Sequence, residues 1–392
     1  MALTPQFEAH ARSRGRMGTL RLVRDQQWLP GRSTPILYPV LNLVTGTTPN
    51  GGGIWRYIVN DLLDHEHQNS PILSQVLHFL DFHLLPHMLK RWRGKTLRQH
   101  YRDRREPIDF RAPLFLDSGG FKLLFKPDLT LAQYGLLRPG EEAESILRLQ
   151  KDFGGDLVAS LDYPLPPNLD PTEARERMRR SEANALRALE LLSSGDEFAD
   201  YAPLLYIACH GLTADDIEDY VRRTLAAIVE RGLPTQGIGI AIGSLVPLRS
   251  AHKLVDLVGI IQGALRGIPE TLRATLPIHV FGVSGDLIPL LTYLGVDSFD
   301  SSTYIQASRS LKYYHPRERD GSGPPTGRLA VRLPHLPRAR LRQTPRHADR
   351  PSRCLPTQRT EGLQELLLRP DRAAQPGDGA AGPRPHAQGT GG

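Results

Sequence analysis

The chain repeatedly runs a short apolar stretch into an abrupt polar or glycine-rich stop. The runs are ILYPVLNLVTG (36–46), PLFLDSGG (113–120), DLVASLDYP (156–164), PLLYIACHG (203–211), GIGIAIGS (237–244), PIHVFGVSG (277–285) and GVDSFDSS (295–302). Amphipathic segments of helical length separate most of them. Residues 171–194, PTEARERMRRSEANALRALELLSS, carry Pro171 near the start and Leu186, Leu189, Leu191 and Leu192 on the later turns. Strands alternating with helices predict a parallel sheet. Seven strands, with an eighth sought within 73–86, predict an α/β chain folded as a (β/α)8 TIM barrel. A doubly wound open sheet is the alternative, but it gathers ligands at one switch point, and here nearly every strand ends in something polar. No repeat of fixed period is visible beyond this alternation.

A barrel carries its chemistry at the C-terminal strand ends, where Asp117, Asp162, His210, Gly243, Ser284 and Asp300 fall. The run GVDSFDSSTYIQASR (295–309) sets Asp297 and Asp300 around Phe299, directly after the apolar positions Ile288, Leu290, Leu291 and Leu294. A carboxylate at the end of a buried strand is costly unless it is solvated, paired or employed. Asp300 is expected to point into the site, and Asp297 to face solvent or a helix-side partner. Cys209 and His210 are adjacent strand residues on opposite faces, so they cannot cooperate as a thiol–imidazole pair; His210 is expected toward the site and Cys209 in the core. Turn chemistry alone also accounts for Asp117 before Ser118-Gly119-Gly120 and Asp162 before Tyr163-Pro164. GTTPNGGG (46–53) lacks the Gly-Lys-Ser/Thr of a phosphate loop and reads as a flexible turn.

Composition changes this picture mainly at the C-terminus. The chain has 392 residues, 40% hydrophobic and 7% aromatic, with no apolar run of membrane-spanning length and no signal-peptide pattern, so a cytoplasmic protein is expected. Two cysteines, Cys209 and Cys354, exclude a disulfide framework and a four-cysteine zinc site. The formal charge of +7 resides entirely beyond residue 315, where 14 Arg face seven acidic residues; residues 1–315 hold 35 basic and 35 acidic side chains. The tail, 316–392, has 12 Pro and 10 Gly and no Lys, Ile, Asn, Phe, Tyr, Trp or Met. Such a composition predicts a disordered or aberrant segment, read as a frameshift in GC-rich DNA or as an Arg/Pro-rich arm that contacts anions. The expected domains are therefore a barrel over 1–315 and a tail over 316–392.

DSGGF (117–121), SLDYP (160–164), GIAIGSL (239–245) and GVDSFD (295–300) together resemble the tRNA-guanine transglycosylase family, in the family's order and over 113–309. The resemblance implies a TIM barrel that exchanges guanine already in nucleic acid for a 7-deazaguanine base through a covalent sugar–enzyme intermediate. It implies Asp300 as nucleophile, Asp117 as second catalytic carboxylate, Asp162 on the base edge and Phe121 stacked on the base. Ser118 belongs to the same motif, and Gly243, Ser244 and Leu245 match the backbone lining the base pocket. These residue types suit the reaction. Breaking an N-glycosidic bond builds positive charge at C1′, which a carboxylate on the opposite face captures. The leaving purine takes a proton and the incoming one loses a proton, work for a second carboxylate. Guanine offers N1–H and an amino group, two donors that one ionised Asp can accept together.

The departures from the family pattern are specific. His210 stands before Gly211 where the family has Gln, Lys122 follows the stacking aromatic in place of Gln, Ser244 replaces a glycine of the base pocket, and TYIQASR follows Ser302 in place of Thr-Arg. No cofactor is visible, and the family's Cys-x-Cys-x-x-Cys-and-His zinc site is missing. PVLNLVTGTTPNGGGIWRYIVNDLL (39–63), His210-Gly211 and FGVSG (281–285) resemble the family's DNA-modifying branch. The basic run 90–105 holds eight Lys plus Arg against one Asp, with Trp92 and Tyr101 interleaved, so Arg91, Arg93, Lys95 and Arg98 are candidate phosphate contacts, with Arg309 beyond the nucleophile. The expected function is a transglycosylase replacing guanine in DNA, with a 7-deazaguanine as second substrate, other DNA-modification proteins as candidate partners, and no membrane. The alternatives are a tRNA-guanine transglycosylase, or an inactive nucleic-acid-binding barrel or pseudogene product lacking its zinc subdomain.

Overall fold

A computed structural model describes residues 3–10, 16–41, 71–76, 94–103, 110–120, 140–195 and 197–303. Two compact units are distinguished, Met1–Leu336 and Pro337–Gly392, and every described residue lies in the first. The strands in chain order are β1 (Gln6–His10), β2 (Met17–Arg21), β3 (Val23–Arg24), β4 (Gln27–Trp28), β5 (Arg32–Ser33), β6 (Ile36–Pro39) and β7 (Ile72–Gln75). They continue as β8 (Leu114–Asp117), β9 (Leu157–Ala159), β10 (Leu204–Cys209), β11 (Ile238–Ile242), β12 (Ile278–Val280) and β13 (Ser298–Ser301).

Eight of these form one parallel sheet in the order β6-β13-β12-β11-β10-β9-β8-β7. A parallel bridge from Val40 to Leu73, with Leu41 N–H donating to Leu73 O at 2.7 Å, joins its two edges. The predicted barrel is present. The eighth strand is β7, which overlaps the start of the 73–86 window.

Alternation along each strand divides the core into two layers. Leu205, Ile207, Cys209, Ile238, Ile240, Ile242, Ile278, Val280 and Phe299 face outward and pack with the helices. Tyr38, Phe115, Leu157, Ala159, Leu204, Tyr206 and Ala241 fill the interior. Among the described helices are α1 (Leu97–Arg102), α2 (Glu142–Asp152), α3 (Pro171–Ser193), α4 (Ala214–Glu230) and α5 (Leu254–Gly267). Helix α3 starts where its sequence says: Asp170 accepts the Thr172 and Glu173 N–H groups at 2.8 and 3.2 Å, and Pro171 occupies the first turn, where its missing N–H costs nothing.

The N-terminal end of the barrel is closed by a small antiparallel sheet, β1-β2-β5, which the sequence reading did not anticipate. Its Phe7 and Leu20, with Leu22, join the interior cluster. Two buried aspartates tie this end together in the same way. Asp156, preceding β9, accepts the N–H of Leu114, first residue of β8, at 2.8 Å; Asp297, preceding β13, accepts the N–H of Ile278, first residue of β12, at 2.8 Å. Each meets arginine: Arg24 and Arg98 reach Asp156 at 2.7 and 2.5 Å, and Arg16 approaches Asp297 at 3.3 Å. Asp297 is thus neither solvent-facing nor on a helix side; it is 1% exposed, and burial raises its carboxyl to about 7 against the opposing pull of Arg16.

Candidate active site

Three carboxylates converge at the opposite, C-terminal end. Asp117 ends β8, Asp162 lies three residues after β9, and Asp300 lies in β13, with exposures of 9%, 7% and 8%. Asp300 points inward because Phe299 points outward, and its Oδ1 accepts the Gly282 N–H at 2.7 Å. Asp117 accepts the backbone N–H groups of Ser118 and Gly119. Burial, and behind it the charges of Asp162 and Asp300, push the Asp117 carboxyl well above the usual carboxylate range. The Asp117 carboxyl is therefore held toward its protonated form.

Asp162 is held from two sides. Ser118 Oγ donates to its Oδ1 at 2.9 Å, and His210 Nε2 lies 3.0 Å from its Oδ2. His210 Nδ1 lies 3.0 Å from Ser244 Oγ, which accepts the Leu165 N–H at 2.8 Å. The consistent proton arrangement runs Leu165 N–H to Ser244 Oγ, Ser244 O–H to His210 Nδ1, and His210 Nε2–H to Asp162. The loop carrying Asp162 is also pinned by α3: Ser181 Oγ accepts the Tyr163 N–H at 2.8 Å, Asn184 donates to Leu161 O at 3.1 Å, and Arg180 lies over the Tyr163 ring at 3.9 Å.

Two glycines are dictated by close approach. A Cβ on Gly120 meets Asp162 Oδ1 at 2.2 Å, and one on Gly243 meets the His210 ring at 2.5 Å. Ser244 adopts φ +62, a left-handed conformation that a serine holds here through its hydroxyl bonds. Leu245 turns its side chain into the core, leaving only backbone for a ligand. Cys209 is buried against the helices, and burial pushes its thiol well above its ordinary value, away from nucleophilic chemistry.

The basic run divides. Arg98, expected on a phosphate face, is instead buried at the N-terminal end of the barrel; besides Asp156 it donates to Ala112 O at 2.8 Å and Gly154 O at 2.5 Å. Its guanidinium is committed to the fold. Lys95 is exposed and pairs with Asp103 at 2.6 Å. Arg91, Arg93, Phe121 and Arg309 lie outside the described residues, as do the tail 316–392 and nearly all of 39–63.

Among the described residues, no group of three or more His, Cys, Asp and Glu side chains could hold a metal ion, and no helix is long and apolar enough to cross a membrane. With two cysteines in the chain, one of them in the core, its residues do not fit a three-cysteine zinc site. The residue that sequence reasoning missed is His279, buried on β12 with Nε2 3.6 Å from Asp300 Oδ1. Its only sequence signal was a histidine inside an apolar strand.

The family model for queuine tRNA-ribosyltransferase matches residues 82–356. A tRNA-guanine(15) transglycosylase of Methanopyrus kandleri is 28% identical over 218 residues, 55% of this chain and 43% of the relative. One from Haloarcula marismortui is 25% identical over 307 residues, 76% of this chain and 51% of the relative. The chain spans about half the length of the curated relatives it matches. These relatives are named for tRNA, whereas the sequence reading put DNA first. The chain belongs to the queuine tRNA-ribosyltransferase family.

Proposed function

We propose that this chain exchanges guanine in a nucleic acid for a free guanine-type base through a covalent sugar intermediate on Asp300. The observation that carries the reading is the convergence of Asp117, Asp162 and Asp300 at one end of the barrel, with the Asp117 carboxyl pushed up. Asp300 Oδ1 is held by the Gly282 N–H, which leaves Oδ2 to attack C1′. The C1′–N bond to guanine breaks as the C1′–Oδ2 bond forms, and the Asp117 proton passes to the leaving base. In the second half the incoming base returns a proton to Asp117, its ring nitrogen bonds to C1′, and the Asp300 carboxylate departs. Asp162, fixed by Ser118 and His210, accepts the N1–H and amino donors of guanine. The target nucleotide must leave its stack for C1′ to be reached.

For the polymer, the names of the relatives support tRNA over the DNA first expected. Of the motifs that resembled the DNA-modifying branch, His210-Gly211 and FGVSG (281–285) are described, whereas 39–63 lies almost entirely outside the described residues. The incoming base is the 7-deazaguanine implied by the resemblance.

The test incubates the full chain with radiolabelled guanine and either tRNA or double-stranded DNA, with denaturing gels to detect a protein–nucleic acid adduct. Label in tRNA and an adduct with the native chain, both lost in Asp300→Asn, are expected. Label in DNA alone moves the polymer to DNA and keeps the chemistry. An adduct that persists in Asp300→Asn overturns the nucleophile.

A further inference from the structure

Beneath Asp300 the barrel interior holds a polar side chain that the reaction as described does not use. His279 is fully buried on β12, in a cage of rings whose centroids lie 5.8 Å (Tyr38), 5.2 Å (Phe115), 5.6 Å (Tyr206) and 4.7 Å (Phe281) from its own. Its Nδ1 lies 2.9 Å from Ser298 Oγ, which in turn lies 3.5 Å from the Tyr206 hydroxyl. Its Nε2 has no hydrogen-bond partner among the described residues and faces Asp300 Oδ1 at 3.6 Å, just beyond bonding range. A buried nitrogen left unpaired beside a carboxylate calls for an explanation.

Burial lowers the His279 pKa, so the ring carries one proton. The Ser298 hydroxyl can donate to Nδ1 while accepting from Tyr206, which puts that proton on Nε2, toward Asp300. The opposite tautomer sets the Nε2 lone pair against the lone pairs of Asp300 Oδ1, which is repulsive. Asp300 Oδ1 already accepts the Gly282 N–H at 2.7 Å. A second donor on the same oxygen leaves Oδ2 as the reacting atom and stabilises the carboxylate that is set free when the sugar–Asp300 bond breaks.

We propose that His279 is a positioning residue for Asp300, its Nε2–H closing on Oδ1 as the carboxylate departs from the sugar. The inference rests on Asp300 as nucleophile, the reading proposed above. It predicts that the donor acts most on breakdown of the covalent intermediate. Removing it leaves the intermediate longer-lived and turnover slower, with polymer binding unchanged, because His279 lies below the site and out of reach of the nucleic acid.

Two measurements test it. In single-turnover assays, His279→Phe, which keeps the ring packing, is expected to slow adduct breakdown by about tenfold, below the larger loss usual for a full oxyanion-hole donor, and to raise the trapped fraction. KM for the polymer is expected to stay within about twofold, and His279→Gln, which restores a donor, to recover most of the rate. Unchanged breakdown in His279→Phe, or no recovery in a folded His279→Gln, overturns the proposal. Independently of activity, multiple-bond 1H–15N spectra of histidine-labelled protein are expected to show the His279 proton on Nε2, with a shift that moves in Asp300→Asn. A proton on Nδ1, or an Nε2 signal indifferent to Asp300→Asn, overturns it even if no adduct forms on any polymer, an outcome that would overturn only the proposed function.

Discussion

His210 and Ser244, two positions that the family resemblance assigned to the base pocket, are hydrogen-bonded to each other, Nδ1 to Oγ at 3.0 Å. The departures form one unit. The histidine fixes Asp162 through its other nitrogen, and the serine sets the histidine's tautomer. Gly243 must be glycine for the ring to fit. The loops after β9, β10 and β11 are thereby coupled beside Asp162, through Leu165 N–H as well as the side chains.

This coupling predicts non-additivity. His210→Ala and Ser244→Ala are each expected to raise KM for the free base about tenfold, and the double variant to cost little more than His210→Ala alone. Ser244→Gly loses the hydroxyl but relieves the left-handed backbone, so its unfolding midpoint is expected to stay near that of the native chain while base affinity falls. Steady-state kinetics with urea titrations check both; additive KM effects refute the coupling.

Asp117 carries a pH signature. Its raised carboxyl is protonated below its folded pKa; in the proposed reaction it supplies the proton to the leaving base, so base exchange is expected to fall as pH rises through that value. Asp117→Asn should slow the first half-reaction at least about a hundredfold and flatten this alkaline limb. The same substitution is expected to raise stability at neutral pH, since an acid whose folded pKa is raised costs stability above its unfolded pKa. A pH–rate profile of adduct formation beside thermal melts checks both.

Asp297 gives a linkage test away from the site. Its folded pKa of about 7 lies above the ordinary value of 3.8, so the folded state holds more protons between these values and stability falls as pH rises through that window. Asp297→Asn removes this dependence. The difference in urea midpoint between Asp297→Asn and the native chain is expected to move in favour of the variant from about pH 4 to pH 7 and then level off. A difference independent of pH contradicts it.

Arg98 separates fold from phosphate binding. Removing it leaves Asp156 buried with only Arg24 opposite, a loss of roughly 3–5 kcal/mol for breaking a buried pair. Arg98→Ala is thus expected to lower the unfolding midpoint strongly and to leave the salt slope of nucleic-acid binding unchanged at a temperature where it remains folded. A reduced salt slope in folded Arg98→Ala returns this residue to the phosphate surface.

What the sequence determined by itself follows from short-range periodicity. Apolar runs ending in polar motifs, spaced by helices such as 171–193, were enough for the barrel and for assigning Asp117, Asp162 and Asp300 to its C-terminal end. The two-residue repeat of a strand also separated Cys209 from His210 and directed Asp300 inward. Only the tertiary structure decided what each polar residue meets. In sequence, Asp156 and Asp297 look much like Asp162 and Asp300, carboxylates beside short strands; which end of the barrel they occupy ties the first two to arginines and gathers the second two with Asp117. Arg24 meets Asp156 across 132 positions, and Arg98 meets it across 58. Ser244 meets His210 across 34, and His279 faces Asp300 from the neighbouring strand. The plug of β1, β2 and β5 was not legible because its apolar residues gain meaning only under the barrel they close. Periodicity is a property of neighbours in the chain, whereas a buried charge is stabilised by neighbours in space, and barrel closure alone brings those together.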